Sequence, residues 1–277
     1  MSAVYEALPQ PSRRDRIARQ LRVLKVIAGV EFRLKYAGSA MGYLWSVIKP
    51  LSYFAVLWVV FGRIFKFEVG IDRYPLYLVI GIVLYTFFVD ATGLAFPSLT
   101  KNSSILRKLS FPPLVIPVSA TLTASITFGV NLLAVAFFVV LSDVMPHWDW
   151  FALAPLLLEL YAFVLGVSLI LATLFVRFRD ISQMWELVSQ LLVFATPVMY
   201  PITILPDWAL KIAYLNPLVQ IMQDMRAIII GTANDSETIA SVLGSAGRLA
   251  PVALTVAVLI GGLLLFRREA PTLAERV

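Results

Sequence analysis

The chain has no cysteine and only one histidine, and each of these shortages excludes a class of site. Without cysteine there are no disulfide scaffolds, thiolate metal sites or thiol nucleophiles. His147 lies alone in the polar stretch 142–150, which excludes a two-histidine metal site and a histidine proton relay within a membrane. The phosphate-binding pattern G-x-x-x-x-G-K-[ST] is also missing, so no nucleotide or other cofactor is predicted in this chain.

Charge is scarce as well, whereas apolar residues are abundant and come in long blocks. The chain is 60% hydrophobic and 14% charged, more apolar than a soluble domain of 277 residues can bury. About 20 apolar residues are needed to cross a bilayer. The sequence therefore predicts an all-α integral membrane protein with six transmembrane helices, at 44–66, 76–98, 112–141, 151–176, 184–200 and 250–266.

The distribution of basic residues predicts the orientation in the membrane. Most of the 23 basic residues fall before the first span, in the loops near residues 101–108 and 177–179, and after the last span. Basic loops stay cytoplasmic, so both termini are predicted to be cytoplasmic in a multi-pass protein of the cell (inner) membrane. Residues 1–20 show no apolar run with a cleavage site, and no cleaved signal peptide is expected.

Two segments outside the spans have their own patterns. In residues 15–38, apolar side chains such as Ile17, Leu21 and Leu24 recur every three or four positions among basic ones, which predicts an amphipathic helix at the membrane interface or, alternatively, a solvated arm. In 201–249, prolines divide the chain into pieces too short to cross. This segment is predicted to be two short helices, Trp208–Leu215 and Leu218–Ile230, that enter the membrane and return; the alternative is one kinked span.

A few polar and aromatic residues are candidates for a transport pathway. Asp90 and Glu159 lie within predicted spans, where a charge facing lipid costs about 2.5–3.5 kcal/mol, so both are expected to face the interior, as a proton path or as polar lining of a channel. The dense aromatics near the first span are membrane anchors or pore lining. The pore-lining candidates are Tyr43, Tyr53, Trp58, Phe61, Asp90 and Glu159.

The loop between the second and third spans predicts a short cytoplasmic helix. It combines a cap residue, a helical run and the stop Pro112-Pro113, and its apolar and basic side chains suit docking to a partner or, alternatively, a basic tether. The candidate docking residues are Ser104, Ile105, Leu106, Arg107, Lys108 and Leu109.

Several motifs together resemble one family, the permease subunits of ABC-type exporters of O-antigen, teichoic acid and related lipid-linked glycans. They are Lys35-Tyr36 through Ser39, Gly42, Trp45 and Pro50, then Phe178-Arg179-Asp180-Ile181, Thr196-Pro197-Val198-Met199-Tyr200 and Asn216-Pro217. The resemblance extends from about Leu24 to Arg267. It implies a homodimer of six-span subunits with two copies of a separate ATPase, which binds ATP and Mg²⁺, and one pore for a lipid-linked glycan.

The resemblance also implies roles for the segments identified above. Residues 104–109 correspond to the coupling helix and residues 15–38 to the interface helix. The segment 201–249, with its two short helices, corresponds to the outer gate. The implied cytoplasmic gate comprises Lys35, Tyr36, Met41, Gly42, Trp45 and Pro50; the cytoplasmic loop comprises Arg177, Phe178, Arg179 and Asp180; the outer gate comprises Trp208, Tyr214, Asn216 and Pro217. Met41 replaces a common leucine of the family. The glycan remains open between galactan, O-antigen and teichoic-acid-like polymers.

The expected organisation is a cytoplasmic tail (1–14), the interface helix (15–38), the six-span permease domain (39–267) and a second tail (268–277). Two other functions remain open. One is a permease of the same superfamily that exports drugs or ions. The other is a membrane enzyme acting on lipid-linked sugars, for which Asp180, flanked by Arg177 and Arg179, is the only candidate cluster.

Overall fold

The computed structural model describes residues 22, 24–33, 42, 44–66, 71, 73–103, 112–231 and 238–276. Within these ranges the regular structure is entirely helical. Five helices of this part are long and apolar enough to span a membrane: Leu44–Ile64, Tyr74–Ala95, Val115–Leu141, Trp148–Arg177 and Ala246–Ala270. The all-α, multi-pass membrane architecture predicted from the sequence is therefore confirmed.

The helices are numbered here in chain order. They are α1 (24–33), α2 (Leu44–Leu57, continued by a π-helix at Trp58–Ile64), α3 (Tyr74–Ala95), α4 (Ser98–Lys101), α5 (Val115–Leu141), α6 (Leu153–Arg177), α7 (Ile181–Ala195), α8 (Asp207–Ala213), α9 (Pro217–Ile230), α10 (Ile239–Leu243) and α11 (Leu249–Arg276). A 3₁₀ turn at Trp148–Ala152 leads directly into α6.

Helix α3 is the centre of the bundle. Most of its side chains are buried, on every side of the helix, and it packs against α5 and α6. Helix α6 in turn packs along α11, where glycines allow close approach: a Cβ on Gly166 would lie 2.7 Å from the Leu259 nitrogen. Small residues at such crossings are typical of membrane helices, because packing rather than the hydrophobic effect holds the helices together.

Helix α7 is shorter than the fifth span predicted at 184–200. It has 15 residues, about 22 Å at 1.5 Å per residue, which is less than the roughly 30 Å of hydrocarbon. It ends at Ala195 because Thr196 turns to an extended conformation ahead of Pro197, which has no N–H to continue the helix. The described residues thus hold five helices of spanning length, and a sixth crossing stays a prediction.

The two short helices expected after Pro201 are present. Helix α8 covers most of the first predicted range, and α9 follows after a short turn. Asn216 caps α9 by accepting a hydrogen bond from the Leu218 N–H (3.0 Å), and Pro217 occupies the first helical position, where its missing N–H costs nothing. Whether these helices enter the membrane stays a prediction.

The N-terminal segment is described at residue 22 and over α1, where residues 24–33 are helical. It packs through Ala28, whose carbonyl accepts a hydrogen bond from the Thr123 hydroxyl of α5 (3.3 Å). Val26 and Val30 are exposed. That α1 lies in the membrane interface stays a prediction. Of the predicted interface helix 15–38, the structure describes only residues 22 and 24–33.

Candidate functional site

A polar pocket lies between α2, α3 and α7. It encloses about 260 Å³ and is lined by Tyr53, Tyr85, Thr86, Val89, Asp90, Ser189, Gln190 and Val193. Two of the predicted pore-lining residues, Tyr53 of α2 and Asp90 of α3, therefore meet at one place. Asp90 and Thr86 are half-buried, whereas Tyr53 and Gln190 are exposed, so the pocket opens sideways from the bundle.

Hydrogen bonds fix α7 against α3 at this pocket. The Tyr85 hydroxyl donates to the Ser189 carbonyl, and the Trp185 indole N–H donates to the Thr92 hydroxyl (3.1 Å). The Trp185 ring also lies 5.7 Å from that of Phe88. Both hydrogen bonds join α7 to buried side chains of α3, Tyr85 and Thr92, and they hold this wall of the pocket in place.

A stripe of polar side chains on α7 extends from the pocket. Gln183, Glu186 and Gln190 follow one another at three- and four-residue spacing, and all three are exposed. This spacing places them on one face of the helix. Gln190 lies about 13 Å along α7 from its first residue. The stripe is therefore a polar surface that continues from the pocket and is exposed in the single chain.

Sequence reasoning missed most of this stripe. Neither Gln183 nor Gln190 was singled out as a site residue, and Glu186 was not among the pore-lining candidates. The signal was nonetheless present, because the polar positions alternate at helical spacing with Met184, Leu187 and Leu191 in an otherwise apolar segment.

The other pore-lining candidates lie apart from the pocket. Trp58 and Phe61 pack partly against the core, with Arg63 5.0 Å above the Trp58 ring. Glu159, on α6, interacts electrostatically with Arg248 and Asp224 instead. Tyr43 lies outside the described residues. Their pore-lining role stays a prediction.

The predicted cytoplasmic gate is described only in part. Gly42 lies in a turn with φ of 47°, a left-handed conformation that glycine adopts without strain, and its carbonyl accepts a hydrogen bond from the Trp45 N–H (3.4 Å). Trp45 is exposed and Pro50 is buried within α2. Lys35, Tyr36 and Met41 lie outside the described residues, as does the whole predicted coupling segment Ser104, Ile105, Leu106, Arg107, Lys108 and Leu109.

One contact links α1 to the chain just before that coupling segment. The Asn102 amide donates a hydrogen bond to the Glu31 carboxylate (3.3 Å). Burial raises the pKa of Glu31 above its ordinary value, and this hydrogen bond partly opposes the shift. This hydrogen bond therefore couples the position of α1 directly to that of Asn102.

The loop before α7 exposes the motif that was a candidate for enzymatic chemistry. The Arg177 guanidinium lies 5.3 Å from the centre of the Phe178 ring, and that of Arg179 lies 5.0 Å from the centre of the Phe175 ring. Asp180 is exposed at the start of α7. The two arginines are thus engaged with aromatic rings, an arrangement that anchors a loop.

The turn at residues 197–200, called here the 197–200 turn, is held by side chains from two helices. Its four successive carbonyls all accept hydrogen bonds from side chains: Arg226 donates to Pro197 (2.7 Å) and Val198 (2.9 Å), Tyr74 to Met199 (2.7 Å) and Tyr77 to Tyr200 (3.0 Å). Irregular backbone survives at membrane depth only where protein satisfies it in this way.

Arg226 is the centre of this arrangement and was not predicted. Its side chain is fully buried, donates a further hydrogen bond to the Tyr77 carbonyl (3.1 Å) and lies 3.5 Å from the centre of the Tyr77 ring. Gly81 makes room for it, because a Cβ there would overlap the Arg226 Nη2 atom. In the sequence Arg226 lies within the predicted short helix Leu218–Ile230, and no local spacing indicates its burial.

A charged pair, Arg248 and Asp224, also fixes helix α9, which carries Arg226. The Arg248 guanidinium donates to the Asp224 carboxylate (2.5 Å), and the Gln220 amide donates to the same carboxylate (2.6 Å). Asp224 is buried and Arg248 is half-exposed at the start of α11. Helix α9 is thereby fixed to α3, to the 197–200 turn and to the last long helix.

The predicted outer-gate residues do not converge on one site. Tyr214 is fully buried with Leu210 and Val219, whereas Trp208 is 69% exposed. Asn216 and Pro217 form the start of α9. Their arrangement explains the fold of the segment, and a gating role stays a prediction.

A bundle of long apolar helices defines a multi-pass membrane protein, and comparison with known proteins identifies its class. The family model for the ABC-2 type transporter matches residues 22–230. This chain belongs to the ABC-2 type transporter family, as a transport permease rather than an enzyme.

Individual relatives are similar over most of their length. The "O-antigen export system permease protein RfbA" of Klebsiella pneumoniae is 28% identical over 214 residues, 76% of this chain and 82% of the relative. The Myxococcus xanthus protein of the same name is 26% identical, over 72% of this chain and 76% of the relative. The "Polysialic acid transport protein KpsM" of Escherichia coli is 20% identical, over 72% and 78%.

Proposed function

We propose that this chain is the transmembrane subunit of an ATP-driven exporter that moves a lipid-linked polysaccharide across the cytoplasmic membrane. The observation that carries the proposal is the polar groove formed by the pocket and the polar stripe of α7, in a chain of the ABC-2 family. The relatives described above are permeases for O-antigen or polysialic acid, which are both polysaccharides. A groove lined by tyrosine, carboxylate and amide groups suits hydroxyl-rich sugars better than apolar drugs.

The open groove also supports a homodimer. Helices α2 and α7 both expose large apolar side chains beside the pocket, including Val56, Val59, Leu187 and Leu191. Two copies that face each other through these helices enclose one continuous path from two half-grooves. A symmetric pair buries the same surface on both subunits.

Energy comes from a separate ATPase, present in two copies, which holds ATP and Mg²⁺. Closure of that partner pushes residues 104–109 and the interface helix, and the Glu31–Asn102 contact joins these two elements. The path then opens by a small rigid-body shift. In this scheme there are six crossings, both termini are cytoplasmic, and the segment from α8 to α10 is a re-entrant outer gate.

The test is a deletion of this chain in its own cells, complemented by a tagged copy. We expect lipid-linked polymer to accumulate on the cytoplasmic side of the deletion strain and surface polysaccharide to return on complementation. The tagged chain, purified in mild detergent, should bring down an ATPase. Normal surface polysaccharide in the deletion strain, with altered drug or ion efflux, would overturn the proposal.

A further inference from the structure

We propose that the turn between α5 and α6 anchors the bundle in the interfacial layer of the bilayer through two aromatic side chains, Trp148 and Phe151. The partner of this surface is lipid, at the boundary between the headgroups and the acyl chains. The inference rests on the multi-pass membrane fold, so it goes beyond the proposed export function and does not depend on the exported substrate.

Trp148 and Phe151 form one apolar surface that points away from the core. Both lie in the 3₁₀ turn Trp148–Ala152, where three residues complete one turn, so their side chains leave the same side of it. The two rings are stacked with their centres 5.8 Å apart, and the residues are 85% and 74% exposed. Trp150, only two positions from Trp148, instead packs against the core. The turn thus uses one tryptophan for the fold and presents the other to its surroundings.

The aromatic pair continues the exposed apolar faces of both flanking helices. Exposed apolar residues recur at helical spacing on each of them, with Leu133, Phe137 and Leu141 on α5 and Phe151, Pro155 and Leu158 on the side of α6. Since lipid tails are as apolar as leucine, such faces are stable in contact with lipid. The polar pocket, by contrast, is formed by α2, α3 and α7. The pair therefore extends a lipid-facing surface.

Helix lengths place the turn at the height of the lipid headgroups. Helix α6 has 25 residues, about 37 Å, compared with roughly 30 Å of hydrocarbon and 40–45 Å for a bilayer with its headgroups. It ends at Arg177, whose charge is costly within the hydrocarbon, so this end lies in the headgroup layer of one leaflet. The 3₁₀ turn adds five residues, about 10 Å, at the other end. Phe151 and Trp148 then lie just beyond the hydrocarbon of the opposite leaflet.

The chemistry of the turn fits that layer. An indole combines a large apolar body with one N–H donor, and tryptophan is enriched at membrane–water interfaces for this reason. The polar side chains of the same turn, His147 and Asp149, are exposed, with Nε2 and Oδ2 3.6 Å apart. A small soluble ligand on the rings would leave the neighbouring exposed residues Leu141 and Met145 uncovered, whereas lipid covers the whole surface. An anchor here also fixes the height and tilt of α6 in the bilayer.

The natural absence of cysteine allows the depth of single positions to be measured on the full-length chain in nanodiscs of phosphatidylethanolamine and phosphatidylglycerol. Trp148→Cys and Phe151→Cys each receive a nitroxide label. Asp149→Cys, on another side of the same turn, and Leu158→Cys, further along α6, are the matched controls. Electron paramagnetic resonance then compares access to oxygen, which concentrates in hydrocarbon, with access to a water-soluble nickel chelate.

We expect the labels at positions 148 and 151 to give oxygen-to-nickel access ratios between those of the two controls, with the lowest ratio at 149 and the highest at 158. Nickel access at 148 and 151 equal to that at 149 would overturn the proposal, because the rings would then face water and a soluble ligand such as a glycan. Low access to both reagents at 148 and 151 would also overturn it, because protein, such as a second copy of this chain, would then cover the pair.

A second measurement tests whether the rings themselves fix the height of α6. The access ratio of the label at position 158 is compared between nanodiscs of shorter and longer acyl chains. With both rings present we expect little change, since the distance from position 158 to the nearer interface is fixed. Trp148→Ala combined with Phe151→Ala should make the ratio shift with chain length, whereas Trp148→Phe, which keeps a ring, should behave like the unaltered turn. An equal shift with and without the rings would refute the anchor, while export is tested separately in the deletion strain.

Discussion

The two ends of α3 show opposite solutions to the problem of polar groups in a membrane. At its beginning, Tyr74 and Tyr77, together with Arg226, enclose the 197–200 turn and supply a donor to each of its carbonyls. Towards its other end, Asp90 faces a pocket that opens to the side of the bundle. The first arrangement satisfies buried carbonyls with protein donors, and the second leaves polar side chains open to the side of the bundle. In the proposed function, the first region stabilises the fold and the second belongs to the transport path.

Replacement of Arg226 is expected to have the largest effect on stability. Arg226→Met leaves the Pro197 and Val198 carbonyls without their donors, and each buried group in that condition costs about 1–3 kcal/mol, so we expect a loss of roughly 2–6 kcal/mol. The measurement is thermal unfolding of the purified chain in mild detergent. Lys211→Met, which removes an exposed cation from α8, is the control and should be nearly neutral. Equal stability of both variants would contradict the enclosed turn.

Gly81 tests the same end of α3 by adding volume instead of removing a donor. A Cβ at position 81 would overlap the Arg226 Nη2 atom and lie 2.9 Å from the Val198 carbonyl oxygen, so Gly81→Ala should cost about 1–3 kcal/mol. Gly93→Ala, on the same helix, has open space around its Cβ and is the matched control. Because Arg226 and Gly81 are in contact, the Arg226→Met background should relieve part of the cost. Equal costs in the two glycine variants would exclude the steric explanation.

The sequence predicted much of the fold because long apolar segments have few alternatives in lipid. The first four long helices and the last one follow directly from segment length, and the prolines of 201–217 correctly predicted short helices there. The shortness of α7 was not predicted, since apolar residues continue to Tyr200 and only the tertiary donors of the 197–200 turn make an irregular end stable there.

The sites were predicted less completely for a related reason. Asp90 was identified because a charge that faces lipid is costly, and Tyr53 because it belongs to the dense aromatic residues near the first span; the structure brings both to one pocket. Burial of Arg226 depends on acceptors about 28 and 149 residues away in the chain, and no local pattern reports them. Similarly, the interaction of Glu159 with Arg248 and Asp224 joins three separate segments, so its sequence context did not distinguish it from a pore residue.

Loss of the hydrogen bond between Trp185 of α7 and Thr92 of α3 should have a smaller effect on stability. Trp185→Phe keeps the ring contact with Phe88 but removes the hydrogen bond to Thr92, which should cost about 1 kcal/mol. Thermal unfolding is again the measurement, and Trp148→Phe at a highly exposed tryptophan is the control. In a Thr92→Val background the additional cost of Trp185→Phe should largely disappear. If that cost stays unchanged, the bond to Thr92 does not hold α7.

The smallest effect on stability, with the largest on transport, is expected in the polar stripe of α7. Gln183 and Glu186 are exposed and lie outside the pocket lining, so replacing both with leucine should change the unfolding free energy by only about 0.5 kcal/mol or less. The same change converts a wettable surface into an apolar one, and apolar constrictions in pores exclude water. We therefore expect normal protein levels with loss of surface polysaccharide.

The matched control for the stripe is the apolar face of the same helix. Met184→Leu combined with Leu191→Met conserves its character and should leave export intact. If the Gln183→Leu, Glu186→Leu variant exports normally, the stripe faces lipid or protein rather than the transport path, and the pocket at Asp90 loses its connection to water. If instead that variant unfolds easily, these side chains stabilise the fold, and the contrast between the two ends of α3 no longer holds.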